Sequence, residues 1–90
     1  MTVADTIHRK LTAALSPSRL EIIDDSGRHQ GHAGAHPEGE SHFSVTVVAA
    51  AFDGLARVAR HRLVYSVLAE ELEARVHALR LKTLTPSEDA

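Results

Sequence analysis

The sequence predicts an α+β fold, a two-layer α-β-β-α-β sandwich in which helices cover one face of a three-stranded mixed sheet. Three observations predict it. Apolar residues recur every three or four positions near the N-terminus and again after Asp53-Gly54. Two β-type runs flank a long stretch rich in glycine and histidine, and a helix-length pattern separates the second run from a third, alternating one.

Val3, Ile7, Leu11, Ala14 and Leu15 fall on one side of a helix running from Thr2 to Leu15. Thr2 with Asp5 makes a capping pair, Ser16-Pro17 stops the helix, and Arg9 and Lys10 point to solvent. Leu20 to Asp24 is a short strand. Phe43 to Phe52 is a longer one, with Phe43, Val45 and Val47 on one face and Ser44, Thr46 and Val48 on the other. Residues 25–42 between them are too many for a tight hairpin, and loops of that length are functional or disordered. After Asp53-Gly54, His61, Val64, Leu68, Leu72 and Val76 line one stripe of a helix of about twenty residues. Leu79 and Leu81 alternate with Arg80 and Lys82, so residues 78–84 read as a third strand with one buried face. Thr85-Pro86 ends it, and residues 87–90, "SEDA", are a polar tail expected to fray. A strand-helix-strand crossover sets the second and third strands parallel, while the first pairs antiparallel with the second. Residues 1–86 then make one domain.

Ninety residues without a cysteine must be stabilised by one modest apolar core. The same absence excludes a disulfide scaffold, a thiolate zinc finger and thiol redox catalysis. Any metal chemistry must use histidine or carboxylate. A formal charge of −2 argues against a strong, sequence-blind phosphate binder. No apolar run spans a bilayer and no signal-peptide pattern is present, so the expectation is a cytoplasmic protein with no membrane partner.

Four of the seven histidines lie between Asp24 and Phe43. His29 and His32 sit on a glycine-rich segment that can turn either imidazole inward. With His36 they could also hold zinc or nickel without a partner, although that spacing is permissive rather than specific. His61 reads first as a half-buried histidine closing the core and second as a ligand. The second reading gains because metal takes neutral imidazole, and desolvation beside Arg60 and Arg62 disfavours the imidazolium. His42 and His77, at element junctions, read as structural, and His8 carries no signal. Arg57, Arg60 and Arg62 gather at the start of the long helix as a small positive patch, able to meet an acidic surface, a glutathione carboxylate or a phosphate. Asp24 and Asp25 are adjacent but face opposite sides of a strand, and no nucleophile-base set or phosphate-cradling loop is present, so an enzyme is not expected.

The pieces "LEIIDDSGRH" (Leu20 to His29), "ESHFSVTVVAAAFDG" (Glu40 to Gly54), "RHRLVYSVLAEEL" (Arg60 to Leu72) and "VHALRLKTLTP" (Val76 to Pro86) resemble the BolA family in order and type. The resemblance implies a fold related to type II KH domains. It also implies partnership with a monothiol glutaredoxin, a [2Fe-2S] cluster being shared between the two proteins and glutathione. DNA binding with transcriptional regulation is the second activity it implies, and a homodimer is compatible with it. His29 matches the family's loop histidine, with His32 as the alternative, and His61 is taken as the other ligand. The segment between His29 and Glu40 is longer than in many relatives. Lacking cysteine, the chain resembles the histidine class, so the partner would supply the thiolates.

Overall fold

The computed structural model describes residues 2–24, 42–74, 76 and 78–89. Their elements run α1 (Val3–Leu15), β1 (Arg19–Asp24), β2 (His42–Val48), a 3-10 turn (Ala50–Phe52), α2 (Arg57–Val67), α3 (Ala69–Ala74), β3 (Ala78–Leu84) and α4 (Pro86–Asp89). The sheet has the order β1-β2-β3, antiparallel on one side of β2 and parallel on the other. This is the expected mixed sheet.

α1 starts where its cap allows. The Thr2 hydroxyl accepts from the Asp5 N–H at 3.0 Å, and the Asp5 carboxylate accepts from the Thr2 N–H at 3.1 Å. Together they satisfy two donors that a helix start otherwise leaves open. The bond from the Thr2 backbone N–H, and secondly the nearby Thr2 hydroxyl, hold the Asp5 carboxyl below its usual range. The helix ends at Ser16, which adopts a left-handed conformation with φ 45° and donates its N–H to Thr12 O. Ile7, Leu11 and Leu15 are buried along a line of four-residue steps. Ala14, expected on that face, is exposed; it lies about 100° around the helix from Leu15. Lys10 is a second departure. Its side chain is only 23% exposed, and Nζ lies 2.9 Å from Glu71 Oε2 and 3.8 Å from Glu70 Oε1, so it ties α1 to α3 instead of facing solvent.

Phe43, Val45 and Val47 alternate toward the helices and are buried against Ile7, Leu11, Leu15, Val64 and Leu68. Each large side chain so buried contributes about 2 kcal/mol of transfer free energy. β2 stops at Val48, short of the expected Phe52. Ala49 still donates to Leu84 O at 3.0 Å, after which Phe52 N–H bonds Ala49 O and the chain coils. Three successive alanines have little strand preference, and the 3-10 turn drops Phe52 fully into the core. The long helix also divides. At Leu68 the backbone reaches φ −102°, ψ 18°, yet Leu68 N–H still bonds Val64 O and Leu72 N–H bonds Leu68 O. The stripe survives the break, with Val64, Leu68 and Val76 buried.

The C-terminal residues differ most from expectation. Residues 86–89 form a helical turn, α4, in place of a fraying tail. Thr85 N–H donates to Glu88 Oε1 at 2.8 Å and Glu88 N–H donates to Thr85 Oγ1 at 3.2 Å, a second reciprocal cap with Pro86 at the first helical position. "TPSE" carries that signal in plain view. Arg60 then donates to Glu88 at 2.6 Å, and Arg19 to Asp89 at 2.6 Å, pinning the turn to α2 and β1.

The Glu88 carboxyl is held down to about 2 from an ordinary 4.5, first by its bond from Arg60 and then by that from Thr85 N–H. A lowered folded-state value stabilises the protein fully above the unfolded value and ceases to do so as pH falls through the folded one. Replacing Glu88 with Gln should therefore destabilise the protein at neutral pH, and the difference from wild type should shrink between about pH 4.5 and 2. Urea titrations at a series of pH values, followed by far-UV circular dichroism, check this.

Candidate functional site

Strand directions decide which candidate residues can meet. β1 ends at Asp24, opposite Phe43, and β3 begins at Ala78, opposite His42. Both ends of the histidine-rich segment and the start of β3 therefore converge on one end of the sheet. His29, His32 and His36 lie outside the described residues, as does His77, the chain neighbour of Ala78. His42 is the first residue of β2 and is half-buried. His8 is exposed on α1.

The other end of the sheet holds the start of α2. Arg60 Nη1 donates to Thr83 O at 3.2 Å, and Thr83 pairs with Val47. The strand from Thr83 back to Ala78 spans about 17 Å. His61, next to Arg60 in the chain, thus belongs to the end remote from the segment's two exits. Its ring is half-buried and meets Tyr65 edge-on, with centroids 6.4 Å apart and planes at 73°. This fits the core-closing reading of His61 at least as well as the ligand reading. Among the described residues no three or more histidine or carboxylate side chains form a metal-binding group.

The arginine patch is smaller than the sequence suggests. Arg57 and Arg62 are exposed, but the Arg60 side chain is only 13% exposed. Its Nε donates to Leu55 O at 2.8 Å, and its Nη atoms reach Thr83 O and the Glu88 carboxylate. Arg60 is spent inside the molecule, joining the turn before α2, the end of β3 and α4. Sequence spacing placed it beside Arg57 and Arg62 without showing that two backbone carbonyls would claim it. Arg60→Ala should accordingly cost about 2 kcal/mol, the scale of charged hydrogen bonds lost from a half-buried site, while Arg62→Ala should be nearly neutral. Chemical denaturation of the two variants separates them.

Which residues suit a cluster follows from the donor set. The chain has imidazoles and no thiol, so it could complete an iron site but not build a thiolate-rich one alone. Charge is unhelpful to a nucleic-acid role, since only Arg57 and Arg62 of the three arginines remain open on α2.

Comparison with known proteins bears on this arrangement. The family model described as BolA-like protein matches residues 11–88. The chain is 47% identical over 88 residues to the DNA-binding transcriptional regulator BolA of Escherichia coli (strain K12), covering 98% of this chain and 80% of that protein. It is 48% identical over 86 residues to BolA-like protein 1 of Homo sapiens, covering 96% of this chain but only 60% of the human one. Among solved structures, BolA1 from Arabidopsis thaliana superposes with a TM-score of 0.87 at 43% identity, covering 98% of this chain and 96% of that one. The BolA domain of SufE1 from the same plant gives a TM-score of 0.84 at 41% identity, over 94% and 93% of the two chains. A family match over most of the chain, relatives well above 40% identity and an agreeing fold lead to one conclusion: the chain belongs to the BolA family.

Proposed function

We propose that this chain is a non-catalytic iron–sulfur adaptor that binds a monothiol glutaredoxin and lends imidazole nitrogen to a [2Fe-2S] cluster shared with that partner and glutathione. The observation that supports it best is the convergence of the histidine-rich segment's two exits with the start of β3 at one end of the sheet. That end carries His42 together with the chain positions that lead to the other candidate histidines. When bound, the cluster would supply the redox chemistry, and its ligation by neutral imidazole would leave it less negative and easier to reduce than an all-thiolate one. The protein's own part is to present the nitrogens and to leave room for the partner's sulfur.

On this proposal the first ligand is His29, with His32 as the alternative. Pairing either with His61 is the sequence-based choice, but the architecture makes it demanding. His29 lies five residues beyond Asp24, a stretch of at most about 17 Å when fully extended. It would need nearly all of that to reach the His61 end. A second imidazole from the segment's own end of the sheet, His42 or His77, needs no such extension and is the pairing we favour.

The experiment is reconstitution of the complex with a monothiol glutaredoxin and glutathione under anaerobic conditions, read by visible circular dichroism and by nitrogen couplings in pulsed EPR. Wild type should show coordinated histidine nitrogen. His29→Ala or His32→Ala, and one of His42→Ala and His77→Ala, should change the spectrum, with His61→Ala leaving it as it was. A changed spectrum for His61→Ala restores the longer pairing. No association and no histidine-bound iron would overturn the adaptor reading itself.

A second reading, DNA-binding regulation, is favoured by the name of the Escherichia coli relative and by the exposed Arg57 and Arg62. The net charge of −2 and the few aromatic residues weigh against it. Binding to duplex DNA that persists with sequence preference at physiological salt would support it.

A further inference from the structure

Among the described residues β3 is an edge strand, and its backbone is closed at only one end. Ala49 N–H donates to Leu84 O, which fixes the parity of the parallel ladder: Ala78, Arg80, Lys82 and Leu84 direct their N–H and C=O groups toward β2. Leu79, Leu81 and Thr83 then direct theirs to the free edge. At Thr83 that edge is blocked, because Thr83 O accepts from Arg60, and Thr85 N–H is taken by Glu88. Among the described residues the N–H and C=O of Leu79 and Leu81 have no such closure, and no other strand pairs with β3.

The side chains on this edge specify what could add to it. Leu79 and Leu81 are half-buried against the core on the helix side. Arg80 and Lys82 are exposed on the opposite face, and Arg80 makes no ion pair among the described residues. Antiparallel pairing of β3 with β3 of a second copy, centred on Leu81, would set Arg80 directly opposite Lys82, which is repulsive across a strand pair. The same two cations attract an acidic neighbour.

We propose that the Leu79–Leu81 edge of β3 accepts an extended acidic segment of a partner protein as a fourth strand, with acidic residues opposite Arg80 and Lys82 and apolar residues beside Leu79 and Leu81. Backbone hydrogen bonds to Leu79 and Leu81 give the contact its register, and the alternation gives it selectivity. The Arg60–Glu88 closure at Thr83 limits the added strand to a few residues. The proposal rests on the backbone edge and on Arg80 and Lys82, and does not depend on the cluster reading.

The test uses the full chain and a capped synthetic peptide of alternating glutamate and valine, with a lysine-for-glutamate peptide as control. Amide NMR and hydrogen exchange are followed at Leu79 and Leu81. The glutamate peptide should shift both amides and slow their exchange about tenfold, the lysine peptide should not, and Arg80→Glu should reverse the preference. Arg80 is the variant of choice because Lys82 already lies in the field of Asp89. Equal response to both peptides, no response at millimolar peptide, amides already protected in the free protein, or self-association through β3 would each overturn the proposal.

Discussion

β2 is paired along both edges, and nearly everything else in the molecule takes its place from that. Its odd-numbered backbone groups bond β3 and its even-numbered ones bond β1, while Phe43, Val45 and Val47 hold up both long helices. The parallel pairing to β3 is the demanding part, because parallel neighbours require a crossover and cannot be joined by a turn. α2 and α3 are that crossover. Val64 in α2, Leu68 between the two helices and Val76 after α3 share one core with the side chains that β2 presents.

At the far end of the sheet a small polar knot closes the structure. Arg60 gathers Leu55 O, Thr83 O and Glu88, and Glu88 in turn caps Thr85. Arg19 and Asp89 add a parallel connection from β1. One end of the sheet is thereby stitched by charge-assisted bonds, and the other receives the histidine-rich segment. The contrast between a fastened end and an end that carries both exits is the basis for the proposal that the ligands lie together.

Periodicity in the sequence carried the layer architecture because two of its signals are local and strong: the four-residue steps of Ile7, Leu11 and Leu15, and the two-residue alternation of Phe43, Val45 and Val47. The Thr2 and Asp5 cap was equally legible. The related "TPSE" cap is just as local, yet a short polar stretch there looks like a tail until its reciprocal bonds are considered. Lys10 and Arg60 were harder. Each looks like a solvated cation along its own helix, and only partners distant in sequence, Glu71 for one and Thr83 with Glu88 for the other, draw it inward. The candidate site depends even more on long-range pairing. The spacing of His61 within its helix says which face it occupies but not which end of the sheet it stands at.

The histidine-rich segment joins two antiparallel strands that already hold each other through a full register, from Arg19 with Val48 to Asp24 with Phe43. Its closure entropy grows only with the logarithm of its length, about 0.6 kcal/mol for each doubling. Residues can therefore be inserted, deleted or exchanged between Asp24 and His42 at little thermodynamic penalty to the sheet. The scaffold tolerates change at the very stretch proposed to choose its metal chemistry, so new donor sets can be sampled there without first re-engineering the fold.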